Sequence, residues 1–267
     1  MIVVPEYHAR FGNILFEYVW PRIISMILGY RFVAPALLNL PTDIPGREYD
    51  NPIQEVCDFA PFPGIAFPIE SIFERKDHRK IVFRGFFQQA DKYELYREMI
   101  KEWFQTSLTP AGHPPGTLGI SIRIAFDYAG LGWDLPLSYY KLAIEKLPEP
   151  PPLCLVYADV PANMLDDHMK LLSGCQDVRI LSHLDYLSQF QSMMGCQNLI
   201  GCNSTFSWWA AFLSNARDVY MPHNYQPWGK ARKSDRRWPA GHEYPTDLRC
   251  HYDGWHIIDG DEFCALG

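Results

Sequence analysis

Seven consecutive residues, Asn203-Ser204-Thr205-Phe206-Ser207-Trp208-Trp209, set hydroxyl and amide groups directly before an apolar run. The preceding apolar stretch Asn198 to Cys202 reads as a strand, and Thr205 to Leu213 reads as a helix. Ser204 or Thr205 can cap that helix. The first helical N–H groups and the helix dipole then form an anion site, to which the hydroxyls add donors for a phosphate oxygen. The same residues also describe a plain cap ahead of a core helix, with Phe206, Trp208, Trp209 and Phe212 buried. Asn203-Ser204-Thr205 is in addition an N-glycosylation sequon, set aside because it abuts a buried strand.

Other residues could join such a site. Arg123 stands near the end of the β-branched run Thr117 to Ala125. A guanidinium there stays charged and can bind phosphate with two parallel bonds. Pairing with Asp127 or Asp159 at a sheet rim is the alternative. Arg10-Phe11-Gly12-Asn13 joins the first strand to an amphipathic helix, and reads either as a second strand–turn–helix anion site or as an ordinary βα turn. Gly12 would allow close backbone approach, and Asn13 would serve as N-cap. Asp185 opens a helix, so its carboxylate either accepts two N–H donors from a guanine edge or caps its own helix. His8, His113, His183 and His223 have no metal-ligand spacing, and no Asp-x-Asp pair lies in a loop. No metal site is expected.

These residues need a scaffold, and the second half of the chain supplies a legible one. Strands are expected at 117–125, 153–159, 178–181, 198–202 and 218–221. Helices are expected at 136–147, 161–173, 185–196 and 205–213. Alternation of this kind predicts a parallel sheet covered by helices on both faces. Ligands of such sheets bind beyond the carboxyl ends of the strands, which selects Arg123, Asp159, the loop before Asp185, and Asn203-Ser204. The first half is less regular. It predicts strands at 2–4, 31–35 and 81–84, helices at 13–28 and 89–104, and long loops from Pro41 to Glu70. Leu108 to Gly116 reads as a linker, placing a boundary near residue 113 between domains 1–113 and 114–267.

Composition narrows the function. The 267 residues are 48% hydrophobic, enough for a sizeable core. Net charge is −7, and the most basic stretch, Lys230 to Arg237, is short and interrupted, so no nucleic-acid partner is expected. No run reaches the roughly 18 apolar residues of a membrane span. Seven cysteines, an odd number without metal-ligand spacing, suit a reducing cytoplasmic setting.

Taken together, these segments resemble the α-1,2-fucosyltransferase family, that is, glycosyltransferase family 11 and its GDP-fucose-dependent superfamily. Arg10 to Asn13, with Phe16 and Tyr18, is similar to the family's N-terminal segment. Arg84-Gly85-Phe86-Phe87-Gln88-Gln89-Ala90-Asp91-Lys92-Tyr93 is similar to its G-Y-F-Q-S-E-K-Y-F segment. Leu137 to Lys141, Val156 to Asp159 and Asp253-Gly254-Trp255 follow in the family's order. Asn203 to Trp209 matches N-S-T-F-S-W-W without a change.

The resemblance implies an α/β chain of GT-B type, with two Rossmann-like domains facing across a cleft and the acceptor on the N-terminal side. It implies inverting transfer of L-fucose from GDP-fucose to a galactoside hydroxyl, with no metal and no cofactor beyond this nucleotide-sugar donor; the partner is a glycan acceptor. Arg123 and Asp127 would then be catalytic. Arg10, Phe11, Gly12, Asn13, Ser121, Asp159, Asp185, Asn203, Ser204, Thr205 and Phe206 would bind the nucleotide sugar. The sequence departs from the family's H-x-R-R-x-D pattern. Ser121 replaces the His, Ile124 replaces the second Arg, and Asp127 falls one residue late. Ile14 replaces the Gln after Asn13. The departures leave open a different nucleotide sugar, or a binding protein without catalysis.

Overall fold

The computed structural model describes residues 1–8, 10–58, 79–88, 91–124, 134–160, 162–223 and 254–265. The chain divides into two compact units, Met1–Ser107 and Leu108–Gly267. Each carries its own sheet, which bears out the expected pair of Rossmann-like α/β folds.

The first unit contains β1 (Ile2–Val3), α1 (Phe11–Leu28), β2 (Phe32–Val33), β3 (Asp43–Ile44), β4 (Ile53–Asp58), β5 (Lys80–Gly85), α2 (Asp91–Glu94) and α3 (Arg97–Phe104). The strand order is β3-β2-β1-β5-β4, and only the β2–β3 pair is antiparallel. Helix α1 buries Leu15, Phe16, Val19 and Ile23, and Gly29 ends it in the left-handed conformation at φ 66°.

Three expectations are corrected here. Residues 41–58 hold β3 and β4 rather than loops alone. Strand β4 (IQEVCD) mixes polar and apolar residues because it is an edge strand, so it lacks the continuous apolar run of a buried one. Helix α1 starts two residues before Asn13, with Arg10 at the N-cap, and the Arg10 carbonyl accepts the Asn13 and Ile14 N–H groups. The single helix expected from Gln89 to Phe104 is broken at Leu95-Tyr96 into α2 and α3; Gln89 and Ala90 lie outside the described residues.

The second unit contains β6 (Leu118–Ile122), α4 (Leu137–Glu145), β7 (Leu153–Ala158), α5 (Asp166–Leu171), β8 (Asp177–Ile180), α6 (Tyr186–Met194), β9 (Asn198–Ile200), α7 (Thr205–Leu213), β10 (Asp218–His223), β11 (His256–Asp259) and α8 (Gly260–Cys264). Strand order is β11-β10-β9-β6-β7-β8, and every pair is parallel. This is the dinucleotide-binding doubly wound order, 3-2-1-4-5-6, counted from β6. The core beneath it gathers Ile120, Ile122, Tyr139, Tyr140, Val156, Ile200, Tyr220, Ile258 and Phe263. The sixth strand and α8 were not expected. They lie far along the chain from β10, and HIID is too short to show a period. Among the described residues no helix is long and apolar enough to cross a membrane.

Residues 108–113 group with the second unit rather than the first. Ala111 N–H donates to the Gln191 carbonyl at 2.9 Å, and His113 Nε2 lies 2.9 Å from the Ser192 carbonyl and 3.2 Å from its Oγ. Gly195 permits this docking, because a Cβ there would collide with the Ala111 carbonyl oxygen. Gly195→Ala is therefore expected to lower stability by about 1–3 kcal/mol, the usual cost of overpacking. Urea unfolding of the variant beside wild type measures it.

His168 on α5 stacks edge-on against Tyr140 at 5.2 Å, and its Nε2 is enclosed with no hydrogen-bond partner among the described residues. Burial lowers its pKa, and neighbouring Asp167 only partly opposes this. Between the lowered folded pKa and the unfolded value near 6.5, the unfolded chain binds the extra proton. Stability should therefore fall as pH drops below about 6.5. His168→Gln should flatten that part of a thermal-unfolding pH series.

Candidate functional site

Strand β6 is where the second sheet changes winding direction. The chain runs outward one way through β7 and β8, and the other way through β9, β10 and β11. The register across this point is fixed by two pairings, Ile120 with Ile200 and Ile122 with Ala158. Extending the β6–β7 ladder by one residue sets Arg123 beside Asp159 in one row at the carboxyl edge, while the β6–β9 ladder ends at Ile200 and the chain turns through Cys202 to Ser204 into α7. Arg123 and Asp159, chosen separately from sequence, thus share one height at the switch point.

In that row Arg123 is mostly buried, and its Nε lies 3.5 Å from Asp159 Oδ2. Asp159 Oδ1 accepts the Ile124 N–H at 3.0 Å. The carboxylate therefore holds the Arg123 stem and the turn after β6 together. Ser121, two strand positions earlier, turns inward: its Oγ lies 3.2 Å from the Cys202 thiol. Complete burial pushes that thiol's pKa up. Ser121 is part of the floor of the row. Asp127 lies outside the described residues.

The turn from β9 into α7 is built by its serines. Ser204 is the N-cap, with extended backbone (φ −124°, ψ 133°), and its Oγ accepts the Phe206 N–H at 3.3 Å. Its own N–H donates to the Cys202 carbonyl at 2.7 Å. Ser207 folds back: its Oγ accepts the Cys202 N–H at 3.3 Å and has the Cys202 and Ser204 carbonyls at 3.0 Å to receive its proton. Thr205 sits half-buried in the first turn. The Phe206 ring packs edge-on against Phe190 of α6 at 5.1 Å, so Phe206 offers the row its backbone. Trp208 stacks on Phe212 at 4.7 Å, and Trp209 is fully buried, which anchors α7 beneath its own N-terminus. Asn203 is buried at the head of the turn.

Asp185 takes the capping option. Its Oδ1 accepts the N–H groups of Leu187 and Ser188 at 2.9 and 3.0 Å, and its Oδ2 accepts the Ser188 hydroxyl. The Ser188 hydroxyl, ahead of the backbone donors, holds the carboxyl below its ordinary pKa.

The first unit has a comparable place, where the carboxyl ends of β1 and β5 meet at the start of α1. Arg10 caps α1, Phe11 is half-buried and Gly12 is buried in its first turn. Asn13 Oδ1 accepts Gln88 Nε2 at 2.9 Å. The loop carrying Gln88 turns through Gly85 at φ 124° and Phe87 at φ 49°. A left-handed Phe costs roughly 1–2 kcal/mol, and the Tyr93 hydroxyl holds it by donating to the Phe87 carbonyl at 2.6 Å. One turn beyond Asn13, Glu17 lies buried and accepts the His8 backbone N–H at 3.0 Å, with His8 Nδ1 3.2 Å away. Sequence reasoning passed over Glu17 and weighed His8 only as a metal ligand. The available signal was a carboxylate inside the apolar stretch Ile14 to Leu28, four residues after Asn13. Among the described residues, no group of three or more His, Cys, Asp or Glu is arranged to hold a metal ion.

Residues 168–236 match the model of the family described as glycosyl transferase family 11, which bears out the resemblance over a region holding Asp185 and Asn203 to Trp209. No curated protein sequence matches the chain. Among solved structures, the chain is similar to POFUT1 in its apo form, at 13% identity and TM-score 0.45, over 79% of this chain and 93% of that one. POFUT1 in complex with GDP is similar at 11% identity and TM-score 0.39, over 82% and 72%. POFUT1 in complex with GDP-fucose is similar at 10% identity and TM-score 0.38, over 82% and 73%.

The Ser207 hydroxyl is the part of the β9–α7 turn whose loss leaves a buried Cys202 N–H without its acceptor. Ser207→Ala should cost about 1–3 kcal/mol, read by chemical denaturation. Ser204→Ala removes an N-cap and should cost about 1 kcal/mol.

Proposed function

We propose that this chain is a glycosyltransferase that moves L-fucose from GDP-fucose to a hydroxyl of a galactoside-containing glycan, with inversion and without a metal. The observation that carries this reading is that Arg123 follows β6 and Asn203-Ser204 follow its neighbour β9 at the switch point of a sheet of dinucleotide-binding order, with Asn203 and Ser204 inside the region matched by family 11. A diphosphate placed there meets one guanidinium and the positive end of α7 together.

In this reading, Arg123 takes the charge that develops on the departing diphosphate. The N-terminus of α7, with Ser204 and Thr205, holds the other phosphate oxygens. Donors fixed in place before the bond breaks stabilise the transition state without reorganising. Asp185 reads the guanine by exchanging its capping bonds for the base edge, and Asp127 assists Arg123. The row has Ile124 where the family has a second Arg, so Arg123 carries the phosphate charge without that neighbour.

A second reading has a specific observation behind it. Ser121, in place of the family's His, pairs with Cys202 in the floor of the row. That arrangement suits a chain whose base preference has changed, or one that binds a nucleotide without transfer.

Thermal shift with GDP, UDP and ADP separates these readings. GDP should raise the melting temperature most; a shift with UDP or ADP and none with GDP removes the fucose assignment. Arg123→Ala should lower GDP-fucose turnover about 10- to 100-fold, matching the loss of a charge-assisted bond of roughly 1.5–3 kcal/mol. Unchanged turnover removes Arg123 from the phosphate site.

A further inference from the structure

Two cysteines of the second unit meet at the start of β7. Cys154 is the second residue of that strand and is wholly buried, on the face it shares with Val156 and Ala158. Leu165 and Leu172 cover this face from either end of α5. Cys175 lies in the turn from α5 to β8, where its N–H donates to the Leu172 carbonyl at 2.9 Å. The strand register sets Cys154 opposite Val178, three residues after Cys175. The turn therefore returns over the beginning of β7, and the Cys175 side chain packs against the same apolar cluster that contains Cys154. Both are free thiols, and the S–H of Cys154 is directed to the sulfur of Cys175.

The two sulfurs differ in access. Cys154 has no exposed surface, whereas Cys175 is half-buried between exposed Gly174 and Gln176. A Cβ on Gly174 would meet no atom within 4 Å, so the turn is open on its outer side. The hydrogen bond from Cys154 holds the Cys175 thiol below its ordinary pKa, and the same bond together with burial pushes Cys154 up. The sulfur that ionises is thus the one a reagent can reach, and a second thiol stands directly behind it. The other buried thiols of this unit lie against hydroxyls instead: Cys196 with Tyr157, and Cys202 with Ser121 and Ser207. Two cysteines that merely fill space would need neither a reachable sulfur nor a thiol directed at it. A reachable thiolate backed by a second thiol is the arrangement of a reversible redox pair.

We propose that Cys154 and Cys175 are a site of reversible disulfide formation, with Cys175 as the attacking thiolate and Cys154 as the resolving thiol. The oxidant is a small disulfide such as glutathione disulfide. The Cys175 sulfur forms a bond to one glutathione sulfur, the glutathione S–S bond breaks, and the first glutathione leaves as a thiolate. Cys154 then gives up its proton, its sulfur attacks the Cys175 sulfur, and the second glutathione leaves. Two protein thiols are oxidised by two electrons, one glutathione disulfide is reduced, and the two protons end on the two glutathione thiols. The new bond ties the α5–β8 turn to β7, the strand that leads into Asp159. The proposal does not depend on the transferase reading.

The test incubates the native chain with excess glutathione disulfide, quenches with acid, alkylates the remaining thiols, and maps the peptides without reductant. The expected product is a peptide pair joined through Cys154 and Cys175, two hydrogens lighter than the free pair and separated again by dithiothreitol. Both cysteines recovered as alkylated thiols would overturn the proposal. So would wild-type Cys175 left carrying glutathione beside a free Cys154, or Cys175 joined to any other cysteine; these readings need no variant to fold. Cys154→Ser should stop at the mixed disulfide between Cys175 and glutathione. Cys175→Ser should slow modification of Cys154 at least about tenfold, because the remaining thiol is buried and protonated. Cys154 reacting as fast in that variant as the wild-type pair does removes Cys175 as the attacking residue.

Discussion

The register between β6 and its two neighbours is the constraint on which the second unit depends. Parallel pairing sets Ile120 beside Ile200 and Ile122 beside Ala158. Because strands advance by about 3.3 Å per residue, a slip of one position would lift Arg123 out of line with Asp159. It would also turn each side chain to the opposite face of the sheet. Helix α4 defends the register from below. Tyr139 donates to the Gly201 carbonyl at 2.7 Å, and Tyr140 to the Ser121 carbonyl at 3.2 Å. Gly119 and Gly201 leave no space for a Cβ, against Leu199 and Cys196 in one case and Met221 in the other. Small residues and buried tyrosines thus hold the site in place without entering it.

The first unit solves a similar problem with different means. Its central strand is only two residues long, so the register is short and side chains carry more of the geometry. A left-handed Phe87, clamped by Tyr93, aims Gln88 at Asn13. A buried carboxylate draws His8 back toward α1. Strain and a desolvated charge are local costs that a packed scaffold can carry, and both occur at the carboxyl edge of the sheet.

Legibility in the sequence followed the source of each element's stability. Strands β6, β7 and β9 are buried on both faces, so their apolar runs announce them, and the helices between them carry clear periods. Edge strands β4 and β11 are held by pairing with one neighbour, and their mixed composition hid them. Asn203 to Ser207 was readable because a cap, a turn and a helix start share a few consecutive residues. Arg123 and Asp159 could be nominated separately, but their alignment follows from strand order, which no local pattern contains. His8 and Glu17 are nine positions apart and meet only because α1 returns over β1. Asn13 was read as a cap because its residue type favours that role, whereas here its side chain serves Gln88.

If the chain acts as proposed, the Arg123–Asp159 contact has a consequence for turnover. Asp159 is anchored by the Ile124 N–H, so it stays at the row whether or not an anion is present. Any phosphate that engages Arg123 exchanges with a carboxylate already there, and binding begins as a displacement. The gain in each direction is then the difference between two anions of similar chemistry. Affinity is traded for exchange, and when a spent diphosphate loosens, the guanidinium has a resident partner to return to. A site built in this way is reset by its own side chain.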